Sequence, residues 1–146
     1  MTLSYPKYTA ILAAAAVVVR DGRLLLLEDR WGRWGLPSGF LEDGEAPEET
    51  IRREVLEELG VECEVLGPLR AAVDWQGPEG SVFVLFHYAV RLRGDNFAPN
   101  EEVVRFQWVI FDDIKRYKVW PNVLRLAEEI GKPAPSEGRP LAGPSR

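Results

Sequence analysis

Cysteine and histidine are nearly absent from this sequence of 146 residues, which contains one of each, Cys63 and His87. A single cysteine cannot form an internal disulfide, so a disulfide-stapled fold is excluded and a reducing cytoplasm is the expected location. We expect Cys63 to be a buried structural thiol. His87 lies in a strongly apolar segment, and we expect it to be packed in a strand rather than to act in catalysis.

Basic residues are also in deficit. The chain has 18 lysines and arginines against 23 aspartates and glutamates, a formal net charge of −5 at pH 7. Proteins that bind nucleic acid neutralise phosphates with an excess of basic side chains. The acidic balance therefore argues against a polynucleotide partner.

Long hydrophobic runs are missing as well. The run at residues 10–19 has about half the roughly 20 residues that a membrane-spanning helix needs, and Lys7 is the only charged residue before it. We therefore expect neither a membrane partner nor a signal peptide. An Asp21-Gly22 turn and the apolar residues 24–27 follow this run. The pattern predicts two buried strands joined as a hairpin.

Length and composition agree with one soluble globular domain. The sequence is 46% hydrophobic and 28% charged, which is ordinary for a globular protein with a single core. We expect this domain to occupy residues 1–130. Residues 131–146 are rich in proline and glycine and have no periodicity, so we expect a mobile C-terminal tail.

Glutamate forms a regular pattern in one segment. Glu54, Glu57 and Glu58 stand at positions i, i+3 and i+4, so on a helix their side chains rise from one face. Like charges on adjacent turns destabilise a helix, whereas Mg²⁺ or Mn²⁺ turns the same oxygens into ligands. The spacing therefore indicates a metal site.

The ends of this helix are also predicted. Pro47 suits a first helical turn, and Gly60 suits the left-handed residue that follows a last turn. Ile51, Val55 and Leu59 recur every four residues and predict the buried stripe. The glutamates then face solvent or a cleft.

A loop precedes the helix and turns on Gly39 and Gly44. This loop is expected to bring Glu45 and a backbone carbonyl near Gly39 up to the helix face. A solvated helix face, the alternative interpretation of a glutamate-rich segment, explains neither the flanking glycines nor Arg53.

The stretch from Gly39 to Val61 resembles the signature of the Nudix hydrolases, GX5EX7REUXEEXGU with U a bulky aliphatic residue, at every defined position. Trp34-Gly35-Leu36-Pro37 resembles the usual lead-in, and the resemblance covers residues 10–130. Ser38 departs from the glycine commonly found there, which we interpret as a minor change in loop geometry. The resemblance implies an α/β fold, an α/β/α sandwich with a mixed sheet. Helices on both sides of a mixed sheet are also the economical architecture for these elements.

The resemblance further implies a site for Mg²⁺ or Mn²⁺ formed by Gly39, Glu54, Glu57 and Glu58. Glu54 is either a third carboxylate ligand or the general base. Arg53 is expected to orient a glutamate through a bidentate contact, because its planar fork matches carboxylate geometry. Glu45 assists from the loop through Arg53.

Some Nudix enzymes take the catalytic base from a late loop, and this sequence offers Glu101 and Glu102 there. Glu102 is therefore an alternative general base. The other interpretation of this pair is a charged loop edge that keeps the sheet soluble.

The remaining elements follow from local patterns. Strands are predicted at residues 61–66, 69–75, 81–92 and 106–111. Asp112 or Asp113 is expected to cap a short helix, and Pro121 to open a final helix. The predicted apolar face of that helix consists of Val123, Leu124, Ala127 and Ile130.

The substrate is expected to be a small nucleotide, and a homodimer is possible. A nucleobase needs an aromatic platform, for which the candidates are Trp31, Trp34, Trp75, Phe83 and Tyr88. Pro78 lies near the place where ADP-ribose-cleaving members tend to carry a proline. We therefore favour hydrolysis of a nucleoside diphosphate linked to another moiety, as in ADP-ribose or a nucleotide sugar. The alternatives are a MutT-like nucleoside triphosphate pyrophosphohydrolase and a non-catalytic nucleotide sensor.

Overall fold

A computed structural model describes residues 4–75 and 80–131 of the chain. The first strands are β1 (Ala10–Val17), β2 (Val19–Arg20), β3 (Arg23–Glu28), β4 (Trp34–Gly35) and β5 (Ser38–Phe40). Helix α1 (Pro47–Leu59) separates them from β6 (Cys63–Asp74), β7 (Val82–Leu92) and β8 (Arg105–Ile110). A 3-10 helix (Phe111–Arg116) and α2 (Pro121–Ile130) follow.

The strands form two sheets. The first has the order β5-β1-β7-β6, in which β1 and β7 run parallel and the other pairs are antiparallel. In the second sheet β3 pairs antiparallel with β2, β4 and β8. The predicted mixed sheet is confirmed in the first of them.

The two long helices lie on opposite faces of these sheets. Ala14 and Ala16 of β1 pack in the core cluster of α1, whereas Ala15 and Val17 pack in the cluster of α2. Strand β3 alternates in the same way, because successive side chains of a strand point to opposite faces. The predicted α/β/α sandwich is therefore confirmed. The consecutive alanines are fully buried, and their small side chains let both helices approach the sheet.

The predicted first hairpin is wrong in one respect. Asp21 and Gly22 form the turn with positive φ values of 52° and 74°, but only β2 pairs with β3 across it. The apolar run breaks at Val18, and β1 joins the other sheet by pairing along its whole length with β7. Parallel pairing between segments so distant in sequence leaves no local signal.

Three other predictions need correction. Residues 61–66 and 69–75 are not separate strands, because β6 runs through both with register shifts between Val65 and Gly67 and between Pro68 and Arg70. Asp112 and Asp113 lie in the first turn of the 3-10 helix instead of capping it. In α2 the fully buried residues are Val123 and Leu126, whereas Leu124 is 38% exposed.

Two sequence predictions lie outside the described residues. They are the proposed tail, from position 132 onward, and Pro78. Within the described residues, no helix is both long and apolar enough to cross a membrane. Cys63 is a free, buried thiol, as predicted.

His87 is fully buried in β7, as predicted, with its Nε2 3.3 Å from Nδ2 of Asn122 in α2. Burial and, to a lesser extent, the positive charge of Arg70 lower the pKa of this imidazole to about 4. The neutral ring is therefore the form that the fold accommodates.

This burial predicts a component of acid sensitivity. An imidazole with a pKa of about 4 in the folded chain and 6.5 when unfolded binds fewer protons in the folded state. Its contribution to the free energy of unfolding is complete above about pH 6.5 and is lost as the pH falls towards 4. Urea unfolding between pH 7.5 and 4.5 should therefore show a steeper loss of stability for the parent than for His87→Gln. A constant difference between the two proteins across that range would contradict the assignment.

Candidate active site

Helix α1 carries the glutamates, and its burial pattern fixes the direction in which they point. The helix begins at Pro47, where Oε1 of Glu49 accepts a hydrogen bond of 2.9 Å from the backbone N–H of Ala46. It ends at Leu59, and the next residue, Gly60, adopts a left-handed φ of 71°, as predicted. Ile51, Val55 and Leu59 are buried. The buried stripe leaves the glutamate face turned to the loop that precedes the helix.

Arg53 joins that loop to the helix. Its Nε and Nη2 donate to Oε2 and Oε1 of Glu45 at 2.7 and 2.9 Å, which is a bidentate contact. Its Nη1 donates to Oε1 of Glu54 at 2.6 Å, and Nη2 also donates to the carbonyl of Phe40 at 3.0 Å. One guanidinium therefore fixes two carboxylates and the end of β5.

Glu45 accepts more than the arginine. Oε1 of Glu45 also accepts the backbone N–H of Glu42 and the hydroxyl of Thr50, both at 2.8 Å. The hydrogen bonds from Arg53 are the largest cause that lowers the pKa of Glu45, to about 2, and the Glu42 N–H adds to them. A carboxylate held by this many donors is a poor proton acceptor at neutral pH. Its position here is that of an anchor for Arg53.

Glu58 has the opposite environment. Burial raises its pKa to about 8, and the negative charge of Glu54 is the next cause. Its Oε1 accepts the backbone N–H of Ser38 at 3.0 Å, which favours the charged form but does not offset the burial. Burial also raises the pKa of Glu54, although Arg53 opposes the shift. Both carboxylates thus lie where additional positive charge stabilises the ionised form.

Gly39 makes close packing between the loop and the helix possible. A Cβ atom at this position would overlap the carboxylate of Glu54. A side chain at this position would therefore displace the Glu54 carboxylate from Arg53. Ser38 precedes it, and its backbone does not adopt a positive φ, so serine replaces the family's glycine without backbone strain.

The carboxylate oxygens of Glu54, Glu57 and Glu58 are suitable ligands for a hard divalent cation, although they do not surround one point in this structure. Among residues 4–75 and 80–131, no three carboxylate, imidazole or thiol groups converge closely enough to hold a metal ion as they stand. Glu54 is turned towards Arg53, and the side chain of Glu57 is 52% exposed. Carboxylate oxygens are the ligands that Mg²⁺ and Mn²⁺ prefer, and their excess negative charge near Glu58 matches a cation. Ion binding would therefore involve small rotations of these side chains.

A cleft of about 300 Å³ opens beside Glu58. It is lined by Leu27, Glu28, Asp29, Arg30, Trp31, Gly35, Leu36, Ser38, Glu58, Glu102, Val103 and Trp120. Glu102 therefore reaches the same cleft as Glu58, and the backbone N–H of Glu102 is held by Oδ1 of Asn100 at 3.0 Å. Glu101 is not among the lining residues. The cleft is lined by four carboxylates and one guanidinium, that of Arg30. This excess of negative charge suits cations, or substrates that bind together with cations.

The aromatic walls of the cleft differ partly from those predicted. Trp31 lines it, but Trp34 is buried in the core cluster against which α2 packs. Trp75 packs edge-on against Tyr8 outside the cleft. Phe83 and Tyr88 are not in the lining either. Sequence reasoning missed Trp120, whose place just before the predicted helix start at Pro121 was its only local signal.

Comparison with known proteins agrees with this geometry. The family model of the NUDIX domain matches residues 10–138. The chain belongs to the NUDIX domain family. The sequence resemblance of the glutamate signature is thereby confirmed.

Two curated relatives illustrate the range of names within the family. The chain is 33% identical to the mitochondrial NAD(P)H pyrophosphatase NUDT13 of Homo sapiens, over 73% of this chain and 32% of that protein. It is 35% identical to the 8-oxo-(d)GTP phosphatase of Mycolicibacterium smegmatis (strain ATCC 700084 / mc(2)155), over 57% of this chain and 25% of that protein. The chain thus spans about half or less of the length of the curated relatives it matches.

A solved structure shares the fold of this chain. The solution structure of the E. coli ORF135 protein superposes with a TM-score of 0.75 and covers 88% of this chain and 96% of its own. The identity of 24% makes this a likeness of fold alone.

The space at Gly39 gives a direct test of the site's packing. In Gly39→Ala the new Cβ displaces the Glu54 carboxylate, so we expect hydrolysis to fall by about two orders of magnitude, the size of a lost electrostatic contact. Gly94→Ala is the matched control, because a Cβ there meets nothing within 4 Å. Turnover and the melting temperature of both variants should be measured. Equal activity of the two would show that the contact between Gly39 and Glu54 is dispensable.

Proposed function

We propose that this protein is a metal-dependent pyrophosphohydrolase that cleaves the phosphoanhydride of a nucleoside diphosphate linked to another moiety, of the ADP-ribose or nucleotide-sugar type. The observation that carries the proposal is the cleft at Glu58, which this partly buried carboxylate with a raised pKa lines together with Glu102 and the indole rings of Trp31 and Trp120. Carboxylates can hold cations for the phosphates, and aromatic rings can hold a nucleoside.

Glu57 and Glu58, with Glu54 and the carbonyl of Gly39, are the residues that would hold Mg²⁺ or Mn²⁺. When bound, such an ion neutralises phosphate oxygens and lowers the pKa of a coordinated water. Arg53 and Glu45 hold Glu54 in place through the contacts described above. The chain's own contribution is thus a set of carboxylates beside the cleft, of which Glu45 and Glu54 are held by Arg53.

Two carboxylates are candidates for the general base that takes a proton from water. Glu54 is close to the other glutamates but is engaged by Arg53 at 2.6 Å. Glu102 lines the same cleft as Glu58, and its negative charge contributes to raising the pKa of Glu58, after burial and the charge of Glu54. Its access to the cleft favours Glu102 as the base.

One observation favours a second function. The relative named 8-oxo-(d)GTP phosphatase supports a MutT-like activity on nucleoside triphosphates, which would use the same carboxylates. The relative named NAD(P)H pyrophosphatase supports the linked-diphosphate activity, since its named substrates contain two nucleoside parts. A non-catalytic sensor is disfavoured, because all the signature glutamates are present.

The setting of this activity is part of the same proposal. The buried free thiol of Cys63 supports a reducing cytoplasm. A small-molecule nucleotide is the proposed partner, and a homodimer is the proposed assembly, which size-exclusion chromatography with light scattering would test.

Removal of one ligand charge tests the metal site. Glu58→Gln keeps the shape of the side chain but removes the charge, so we expect Mg²⁺-dependent turnover to fall by two or more orders of magnitude. Thermal unfolding with and without Mg²⁺ should accompany the kinetics, since only the parent is expected to gain stability from the ion. Turnover within threefold of the parent would contradict the assignment of Glu58.

The general base is tested by a matched pair of neighbours. Glu102→Gln should lower kcat by about 10²- to 10⁴-fold, the usual contribution of a general base, whereas Glu101→Gln, outside the cleft lining, should not. A kcat of Glu102→Gln within threefold of the parent would move the role to Glu54.

A product analysis separates the two functions. The protein with Mg²⁺ or Mn²⁺ is incubated with ADP-ribose, nucleotide sugars, and normal and oxidised nucleoside triphosphates. AMP plus ribose 5-phosphate from ADP-ribose supports the linked-diphosphate activity. A monophosphate plus pyrophosphate from a triphosphate supports the second. Hydrolysis of none of them would contradict both.

A further inference from the structure

The loop between β7 and β8, residues 93–104, closes over the end of helix α1. The last turn of a helix leaves its backbone carbonyls without partners inside the helix. Here the N–H of Ala98 donates to the carbonyl of Leu59 at 2.8 Å, and the N–H of Asn100 donates to the carbonyl of Glu58 at 3.2 Å. The loop therefore completes the end of the helix that carries the glutamates.

Side-chain packing holds this loop in the same place. A Cβ atom at Gly60 would lie 3.0 Å from Cβ of Ala98, so the end of the helix and the loop are in close contact. Val103 is buried in the core cluster of α1, and Phe97 packs against that cluster. The chain is therefore anchored on both sides of Asn100.

Asn100 also builds the turn that carries Glu102. Its backbone carbonyl accepts the N–H of Val103 at 3.2 Å, which closes a four-residue β-turn. Its side-chain Oδ1 accepts the N–H of Glu102 at 3.0 Å. Asparagine suits the first position of such a turn, because its side chain can bond the backbone two residues on. Asn100 therefore joins the turn with Glu102 to the turn of α1 with Glu58.

We propose that Asn100 is a positioning residue that fixes Glu102, the proposed general base, relative to the last turn of α1. The inference rests on the proposed pyrophosphate hydrolysis and deepens it by naming a residue that acts through the base. A general base works only within hydrogen-bond reach of the proton that it removes. A displacement of about 1 Å can therefore cost about 10²-fold in rate.

The competing role for Asn100 is stabilisation of the helix end alone. Its backbone N–H can serve that role in any residue except proline, because the contact with the carbonyl of Glu58 does not involve the side chain. The side-chain contact is directed to Glu102 instead. Substitution of the side chain therefore separates the two roles.

Kinetics of the side-chain variants test the positioning role with the substrate that is hydrolysed fastest. Asn100→Ala removes the Oδ1 acceptor, so we expect kcat to fall about ten- to hundredfold, less than in Glu102→Gln, with KM within about threefold of the parent. Asn100→Asp keeps an oxygen acceptor and should restore kcat to within about threefold of the parent. An unchanged kcat in Asn100→Ala, or an equal loss in Asn100→Asp, would overturn the proposal.

Asn96→Ala is the matched control for these variants. Asn96 lies in the same loop and is exposed, and its side chain makes no hydrogen bond with any residue that the structure describes. We therefore expect its kcat and KM to equal those of the parent. A loss in Asn96→Ala as large as in Asn100→Ala would show that the loop responds to any change, which contradicts a specific role of Asn100.

A double-mutant cycle tests whether Asn100 acts through Glu102. In the Glu102→Gln background the base is already removed, so Asn100→Ala should change kcat little further. An equal loss of kcat in both backgrounds would mean that Asn100 acts through another part of the site, which overturns the positioning role.

Amide hydrogen exchange, measured by NMR, tests the contact without substrate. The N–H of Glu102 should exchange about three- to tenfold faster in Asn100→Ala than in the parent, the range of one net hydrogen bond, and at the parent's rate in Asn100→Asp. The N–H of Ala98 should exchange at the same rate in all three proteins, because its bond to Leu59 is unaltered. Equal rates at Glu102 in the parent and Asn100→Ala, or faster exchange at Ala98 as well, would contradict a specific contact.

These outcomes are separable from those of the proposed function. Faster exchange at Glu102 in Asn100→Ala, without hydrolysis of any substrate by the parent, would support the contact and contradict the enzyme. Hydrolysis with equal kcat in the parent and Asn100→Ala would support the enzyme and contradict the positioning role.

Discussion

The contact between Arg53 and two carboxylates is the interaction on which the site depends. Arg53 belongs to α1, Glu45 to the preceding loop, and the Phe40 carbonyl to the end of β5, so one side chain joins three segments. Because Glu45 accepts from four donors, the arginine meets an anchor that cannot move without breaking several bonds. Glu54 is then fixed between Arg53 on one side and the glycine backbone at position 39 on the other.

The carboxylates around this helix face differ in their electrostatic environment. Arg53 compensates Glu45 and Glu54, but among the described residues the partly buried Glu58 accepts a hydrogen bond only from the backbone N–H of Ser38. The pKa of Glu45 is lowered because Arg53 donates hydrogen bonds to its carboxylate. The pKa of Glu58 is raised because burial disfavours its charged form and Glu54 adds a second negative charge nearby. This division separates a structural carboxylate from those available to a cation.

The sequence predicted the parts of this arrangement that depend on local spacing. The ends of α1 and its buried stripe follow from Pro47, Gly60 and the four-residue repeat of Ile51, Val55 and Leu59, and the structure confirms them. The partner strands do not follow, because β1 pairs with β7 about seventy residues away and leaves β2 to complete the hairpin alone. Trp120 escaped prediction for the same reason. Its partner, Asp29, lies 91 residues away, and neither residue belongs to a recognisable motif.

The position of the cleft follows from the separation of the two sheets. The chain passes from β4 in one sheet to β5 in the other through Leu36 and Pro37, and the carbonyl of Pro37 accepts the N–H of Ala16 at 2.8 Å. At this crossing the strands diverge, and the backbone N–H of Ser38 turns to Glu58. Cleft residues therefore come from the ends of both sheets, α1 and the loop at Glu102. A polar cleft at such a divergence needs no distortion of regular structure, because backbone donors that leave a sheet are free to bind side chains.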